Sequence, residues 1–222
     1  MGIIKQGILG GFSNKVGAVV GSSWKGIAVM KAKPLSVANP RTTKQVNARS
    51  TFSDVSKIAS AMLSPVIADC WNRWAKKKSG YNEFVQKNIK IAQDYSVTGS
   101  TFFLHMIVSD GELLLNNINC SETVGAGTKT YAMTWDDTLT GKYDKATDIV
   151  KLGAMVLKLD SVTNEVDPNS ARIVMADNKV RTAEASTIEV ELEAGEDCFP
   201  FAYVVSADGY FRSENLNVAS LL

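Results

Sequence analysis

The chain has 222 residues, 45% of them apolar and 21% charged, which is the range of an ordinary globular protein long enough to bury a sizeable core. Its formal charge of +1 comes from 24 Lys+Arg against 23 Asp+Glu, so it is not a uniformly basic or acidic polyelectrolyte. No apolar run approaches the ~20 residues of a bilayer span, and the opening "MGIIKQGILGG" lacks the apolar core of a secretory signal; neither a membrane span nor secretion by a signal peptide is expected.

The near-neutral total hides two poles. Residues 1–100 carry 15 basic and 4 acidic side chains, and residues 101–222 carry 9 basic and 19 acidic ones. Such asymmetry points to nucleic acid or to an oppositely charged protein surface. It also permits head-to-tail joining of copies.

Residues 1–40 hold seven glycines by position 26, with apolar pairs such as Val19-Val20 between them and Pro34 and Pro40 at the end. The spacing predicts an extended, glycine-rich basic arm of short strands or a hairpin. A phosphate loop would need Lys-Ser/Thr after its glycine; Gly21 is followed by Ser22-Ser23 instead. The segment is too poor in bulky side chains to make its own core, so it is expected to lie against something else.

Residues 41–98 are expected to be a small helical unit. Thr42 and Gln45 have capping-box spacing, and Ala48, Phe52, Val55, Ala59 and Met62 recur at helical intervals. Ser64-Pro65 reads as the start of a second helix carrying Ile67, Trp71 and Trp74, with Lys76, Lys77 and Lys78 in its last turn and Gly80 as its C-cap. A short third helix is expected from Tyr81.

From residue 99 to 222 the period shortens. The runs "TFFLHMIV", "ELLLNNI", "TKTYAMTW", "GAMVLKL", "ARIVMA", "STIEVEL", "FPFAYVV" and "YFRSE" read as strands, with Asp110-Gly111 and Asp208-Gly209 as hairpin turns. The expected fold class is therefore α+β, with an immunoglobulin-like antiparallel β-sandwich at the C-terminal end.

Chemistry is thinly supported. Cys70, Cys120 and Cys198 are far apart, and the lone His105 sits in an apolar run. Asp136-Asp137 reads as a turn, and Asp160, Asn164 and Asp167 miss the calcium-loop template. No catalytic residue, metal or cofactor is assigned, and the protein is not expected to be an enzyme. The candidate contact residues are basic: Lys25, Lys31, Lys33, Arg41, Lys44, Arg49, Arg73, Lys76, Lys77 and Lys78. Trp24, Trp71 and Trp74 nearby could stack on bases, although helical spacing favours the core. The acidic counterpart is "EVELEAGED", where Glu189, Glu191 and Glu193 would share one strand face.

Gly11-x-Ser13-x-Lys15-x-Gly17, Trp24-Lys25-Gly26, Asn39-Pro40-Arg41-Thr42, Gln45, Arg49, Phe52, Trp71 and Gly80-Tyr81-Asn82-x-Phe84 form an ordered pattern. It resembles a family of proteins from Bacteroidetes bacteria and their phages or mobile elements, a family with no established activity. The resemblance implies a virion or assembly role, with other copies or other virion proteins as partners. The corresponding location is a virion or the cytoplasm of a bacterial host cell. Nucleic-acid binding through the basic half is the alternative, and surface or glycan binding by the strand-end loops, including 135–148, is a third.

Overall fold

A computed structural model of the protein describes residues 2–3, 11–24, 26–163, 165–214 and 216; Lys25 and Asn164 lie outside the described residues. The chain divides after Thr42, one unit holding Met1–Thr42 and the other Thr43–Leu222.

In the first unit the strands β1 (Gly2–Ile3), β2 (Asn14–Val16), β3 (Val19–Trp24) and β4 (Ile27–Ala32) form one antiparallel sheet in the order β1-β4-β3-β2. Val16 pairs with Val19 across a two-residue turn, and Gly17 supplies its positive φ of 58° at no steric cost. Gly21 is required for a different reason: Phe12 lies against it, and a Cβ there would collide with the Phe12 carbonyl and ring. Among the described residues of this unit, Val29 is the one apolar side chain that is buried.

The second unit begins with α1 (Thr43–Ala61), which buries Val55, Ile58 and Ala59. The helix does not restart at Ser64-Pro65 as expected. Pro65 has no N–H to donate back, and the chain widens into a π-turn over Leu63–Ile67 in which the Ile67 N–H reaches the Met62 carbonyl at 2.9 Å. Beyond the π-turn there is only α2 (Ala68–Cys70) and a turn, so Lys76 to Lys78 sit in a loop rather than in a last helical turn. Gly80 is the first residue of α3 (Gly80–Tyr95), not a C-cap. Its missing side chain lets the helix start against the backbone of Trp71 and Asn72, while Ser79 caps it by accepting the Asn82 N–H.

"TFFLHMIV" is not a strand. Residues Ser100–His105 form α4, which turns Phe102 and Phe103 into the core. The segment beyond it is held extended by one buried side chain. Asn88 donates to the Phe84 and Ile107 carbonyls and accepts the Ile107 N–H at 2.8 Å. Trp71 adds a bond from its indole N–H to the Val108 carbonyl.

The remaining strands are β5 (Asn116–Val124), β6 (Thr128–Asp136), β7 (Ile149–Leu159), β8 (Val166–Met175), β9 (Lys179–Val180), β10 (Ala185–Glu191) and β11 (Glu196–Val205). They make two antiparallel sheets, β10-β6-β5 and β11-β7-β8, with β9 also paired to β7. After β11 the chain returns along it: Arg212 bridges to Val205 and Leu216 to Ala202, so "YFRSE" yields bridges and no full strand.

Period two decides the layers. On β7, Val150, Leu152, Ala154 and Val156 face the other sheet; they share a core with Tyr131, Met133, Trp135, Ile188 and Val190. Met155 and Leu157 point the opposite way, with Phe201, Tyr203 and Val205 of β11, into a core formed with the helices. The helices at 41–98 are therefore not a free-standing unit. They cover the second face of the β11-β7-β8 sheet, and the fold is mixed α+β built on antiparallel sheets.

This layering predicts that a chain beginning at Thr43 keeps a single cooperative urea transition. Met155→Ala, which empties the helix–sheet core, should lower stability by ~2–5 kcal/mol in that measurement.

Candidate functional site

The predicted basic residues are distributed over both units. Lys31, Lys33 and Arg41 are exposed in the first unit, and Lys25 lies outside the described residues. Lys44 and Arg49 are exposed on α1. Lys78 is engaged, pairing with Glu83 at 2.6 Å and with Gln86. On the acidic side, Glu189 and Glu191 alternate on the exposed face of β10 as expected. Glu193 does not join them. The Leu192 N–H turns to the Gly127 carbonyl, the strand ends at Glu191, and Glu193 pairs with Lys158 at 3.3 Å.

Both tryptophans of the helical region meet residues from the chain's far end. Past β11 the Asp208-Gly209 turn closes with the Ser206 N–H on the Phe211 carbonyl at 2.9 Å. Asp208 accepts the Ser206 hydroxyl at 2.6 Å and the Tyr210 N–H at 3.0 Å, and these bonds hold its carboxyl down at about 2. The turn returns Phe211 to stack on Tyr143, with ring centres 4.2 Å apart, and to meet Trp74 at 6.4 Å. Arg212 comes next. Its guanidinium carbon lies 4.9 Å from the Trp71 ring centre and 5.2 Å from that of Trp74. Its Nε donates to the Asp110 carbonyl at 2.5 Å, and Gly111 packs so closely on it that no side chain would fit there.

Arg212 is 7% exposed, and burial lowers its pKa. Its Nη1 has no hydrogen-bond partner among the described residues. Beside it is a cleft of about 160 Å³ lined by Trp74, Asp110, Gly111, Glu112, Phe211 and Arg212. On the outside, Arg73 bonds the Asp208 carbonyl and covers the exposed ring of Tyr210 at 5.4 Å.

A second buried arginine, Arg181, is paired quite differently. It is fully buried, with Asp148 at 3.4 Å and Asp144 at 3.6 Å, and its carbonyl accepts the Trp135 indole N–H. Asp144 and Asp148 also accept the Gly141 and Lys145 N–H groups, so the 135–148 connection is tied down from inside.

Groups that could act as nucleophiles or bases are poorly placed. Burial pushes the Cys70 thiol up to about 12, and burial likewise raises Cys120 and Cys198. His105 ends α4, exposed and stacked on Tyr95 at 4.2 Å, which corrects its expected place in a strand. Asp136 is held by the Asn117 amide, and Asp160 caps its own turn by accepting the Val162 and Thr163 N–H groups. Among the described residues no three His, Cys, Asp or Glu side chains converge on a metal position.

Sequence reasoning missed the Arg212 stack because its parts come from residues 71–74, 110–112 and 211–212, each of which reads as an element of its own. The chain belongs to the family of unknown function DUF6266, whose match runs over residues 10–218. No curated protein and no solved structure matches it.

The Asp208 turn carries a pH signature. Because its folded pKa is depressed to about 2, the stability it contributes is fully present above the ordinary carboxylate pKa of ~3.9 and is lost as pH falls toward the folded value. Carboxyl ¹³C NMR should find Asp208 titrating near 2; a midpoint near the ordinary value would show the turn is not built this way.

Proposed function

We propose that this member of DUF6266 is a non-enzymatic structural protein of a multi-copy assembly, and that Met1–Thr42 is the piece by which copies join. The observation that carries this reading is a sheet whose described residues bury almost no apolar side chain. Ile3 is 67% exposed, Val16 65% and Val37 77%, while Val29 alone is buried among the described apolar residues of the unit. A sheet whose strands present no buried apolar face has little to stabilise it alone and gains stability by covering its exposed apolar side chains.

Charge complementarity selects a second copy as the occupant. Residues 1–42 contain six basic side chains and no acidic one, whereas residues 43–222 carry 18 basic and 23 acidic side chains. Glu189 and Glu191 on β10 offer a receiving face. Exposed pairs contribute only ~0–1 kcal/mol each, so the charges orient and the apolar strands supply adhesion. A phage particle is the setting to which the sequence resemblance points. For the body of the protein we propose an immunoglobulin-like sandwich. The orders β10-β6-β5 and β11-β7-β8 support it, as does the chain's return along β11, because strands one, two and five then share one sheet and three, four, six and seven the other.

One observation favours a second reading, nucleic-acid binding: exposed Tyr210 beside Arg73, with Lys76 and Lys77 exposed in the same loop as Arg73. In that case single-stranded DNA affinity falls steeply with salt and charge reversal at Lys76 and Lys77 flattens the slope.

Sedimentation equilibrium separates the two. The full chain should self-associate, deletion of residues 1–42 should leave a folded monomer at every salt concentration, and Glu189→Lys with Glu191→Lys should weaken association mainly at low salt. A full chain that stays monomeric at high concentration and low salt, yet binds DNA, would transfer the assignment to the second reading.

A further inference from the structure

We propose that the cleft lined by Trp74, Phe211 and Arg212 binds a small monocarboxylate with an apolar body, its carboxylate paired with Arg212. The comparison with Arg181 carries the inference. Two arginines of this chain are buried. One has aspartates at 3.4 and 3.6 Å, the usual solution to burying a cation. Each has a buried N–H without an acceptor, Arg181 at Nε and Arg212 at Nη1, but Arg212 alone has no carboxylate within 4.0 Å among the described residues. The acidic group nearest in sequence to its contacts does not fill the gap, since the Asp110 carboxylate is taken by Lys87 at 2.7 Å. Two indole faces compensate part of the charge, and they do so without accepting a hydrogen bond in the guanidinium plane.

What is missing is therefore a planar acceptor, and a carboxylate matches the guanidinium fork. The walls define the rest of the ligand. Trp74 and Phe211 present ring surface, and about 160 Å³ suits a body the size of one amino-acid side chain. Asp110, paired with Lys87, and Glu112 also line the cleft, so a second negative charge on the ligand would find no further cation to offset it. Trp74 is half-buried, so the carboxylate reaches the guanidinium as this ring gives way, and the indole reports the event.

The test uses the full wild-type chain with labelled tryptophan indoles, titrated with phenylacetate, with its uncharged isostere phenylacetamide and with benzylamine. Phenylacetate should give saturable shifts of the Trp71 and Trp74 indole resonances, and phenylacetamide should need at least about ten times the concentration, as expected when a charge-assisted pair is lost. Arg212→Lys, checked for folding by circular dichroism, should lose this preference because the fork is gone; should it not fold, the acid–amide comparison on the wild-type chain decides alone. Equal response to acid and amide would reduce the cleft to an apolar crevice and overturn the proposal. So would preference for benzylamine, or no response at all.

Discussion

The structure depends on one adjacency: β7 and β11 pair along their length and are buried on both faces. Pro200 lies opposite Ala154 and Tyr203 opposite Lys151, so ten consecutive residues of β11 are matched to β7. Each strand sends alternate side chains into two different cores, one shared with β6 and β10 and the other with α1, α3 and α4. A strand in that position must be apolar nearly throughout, and "GAMVLKL" and "FPFAYVV" are. The polar exceptions are answered individually. Lys151 reaches Asp69 on α2, and the Tyr203 hydroxyl donates to the Pro65 carbonyl at 3.0 Å in the π-turn. These two contacts fix the helical layer to the sheet at the point where the helix is irregular.

Two buried arginines sit at one end of the layered unit, beside the start of β7, where Val180 and Val205 both pair with Ile149. Arg181 joins the 135–148 connection to the start of β10, with Asp144, Asp148 and Trp135 around it. Arg212 joins the returning C-terminal segment to the turn after α2 and to the 110–113 connection, where its carbonyl also accepts the Leu113 N–H at 2.9 Å. A buried ion pair is mainly a device of register, because its desolvation cost cancels much of its attraction. Arg181 fits that description. Arg212 is stacked on two indoles with no carboxylate within 4.0 Å among the described residues.

The double-sided strands are legible in the sequence because a run of β-branched and aromatic residues at that length has few other solutions. The exposed face of β10 is legible too, since "STIEVEL" alternates strictly and its glutamates appear on the solvent side as far as Glu191. "TFFLHMIV" is not. Its composition is that of a strand, yet it is cut into α4 and an extended piece by Asn88, a residue 19 positions away from Ile107 that no local pattern connects to it. Ser64-Pro65 reads as a new helix because proline suits a first turn, whereas tertiary packing of Val66 and Ile67 carries the helix past it as a π-turn. The tryptophans illustrate both outcomes at once: Trp71 is core, as helical spacing favours, and Trp74 is half core and half wall of a cleft.

Residues 43–222 bury two large apolar clusters, whereas the described residues of Met1–Thr42 bury Val29 as their one large apolar side chain. That contrast is the basis for reading the first unit as the joining piece. Backbone amide hydrogen exchange of β2, β3 and β4, measured as a function of protein concentration, tests it most directly. The account predicts that these amides exchange quickly in dilute solution and become protected as concentration rises, while amides of β7 and β11 stay protected throughout. Protection of the first unit that is already complete in dilute solution, and indifferent to concentration, would contradict it.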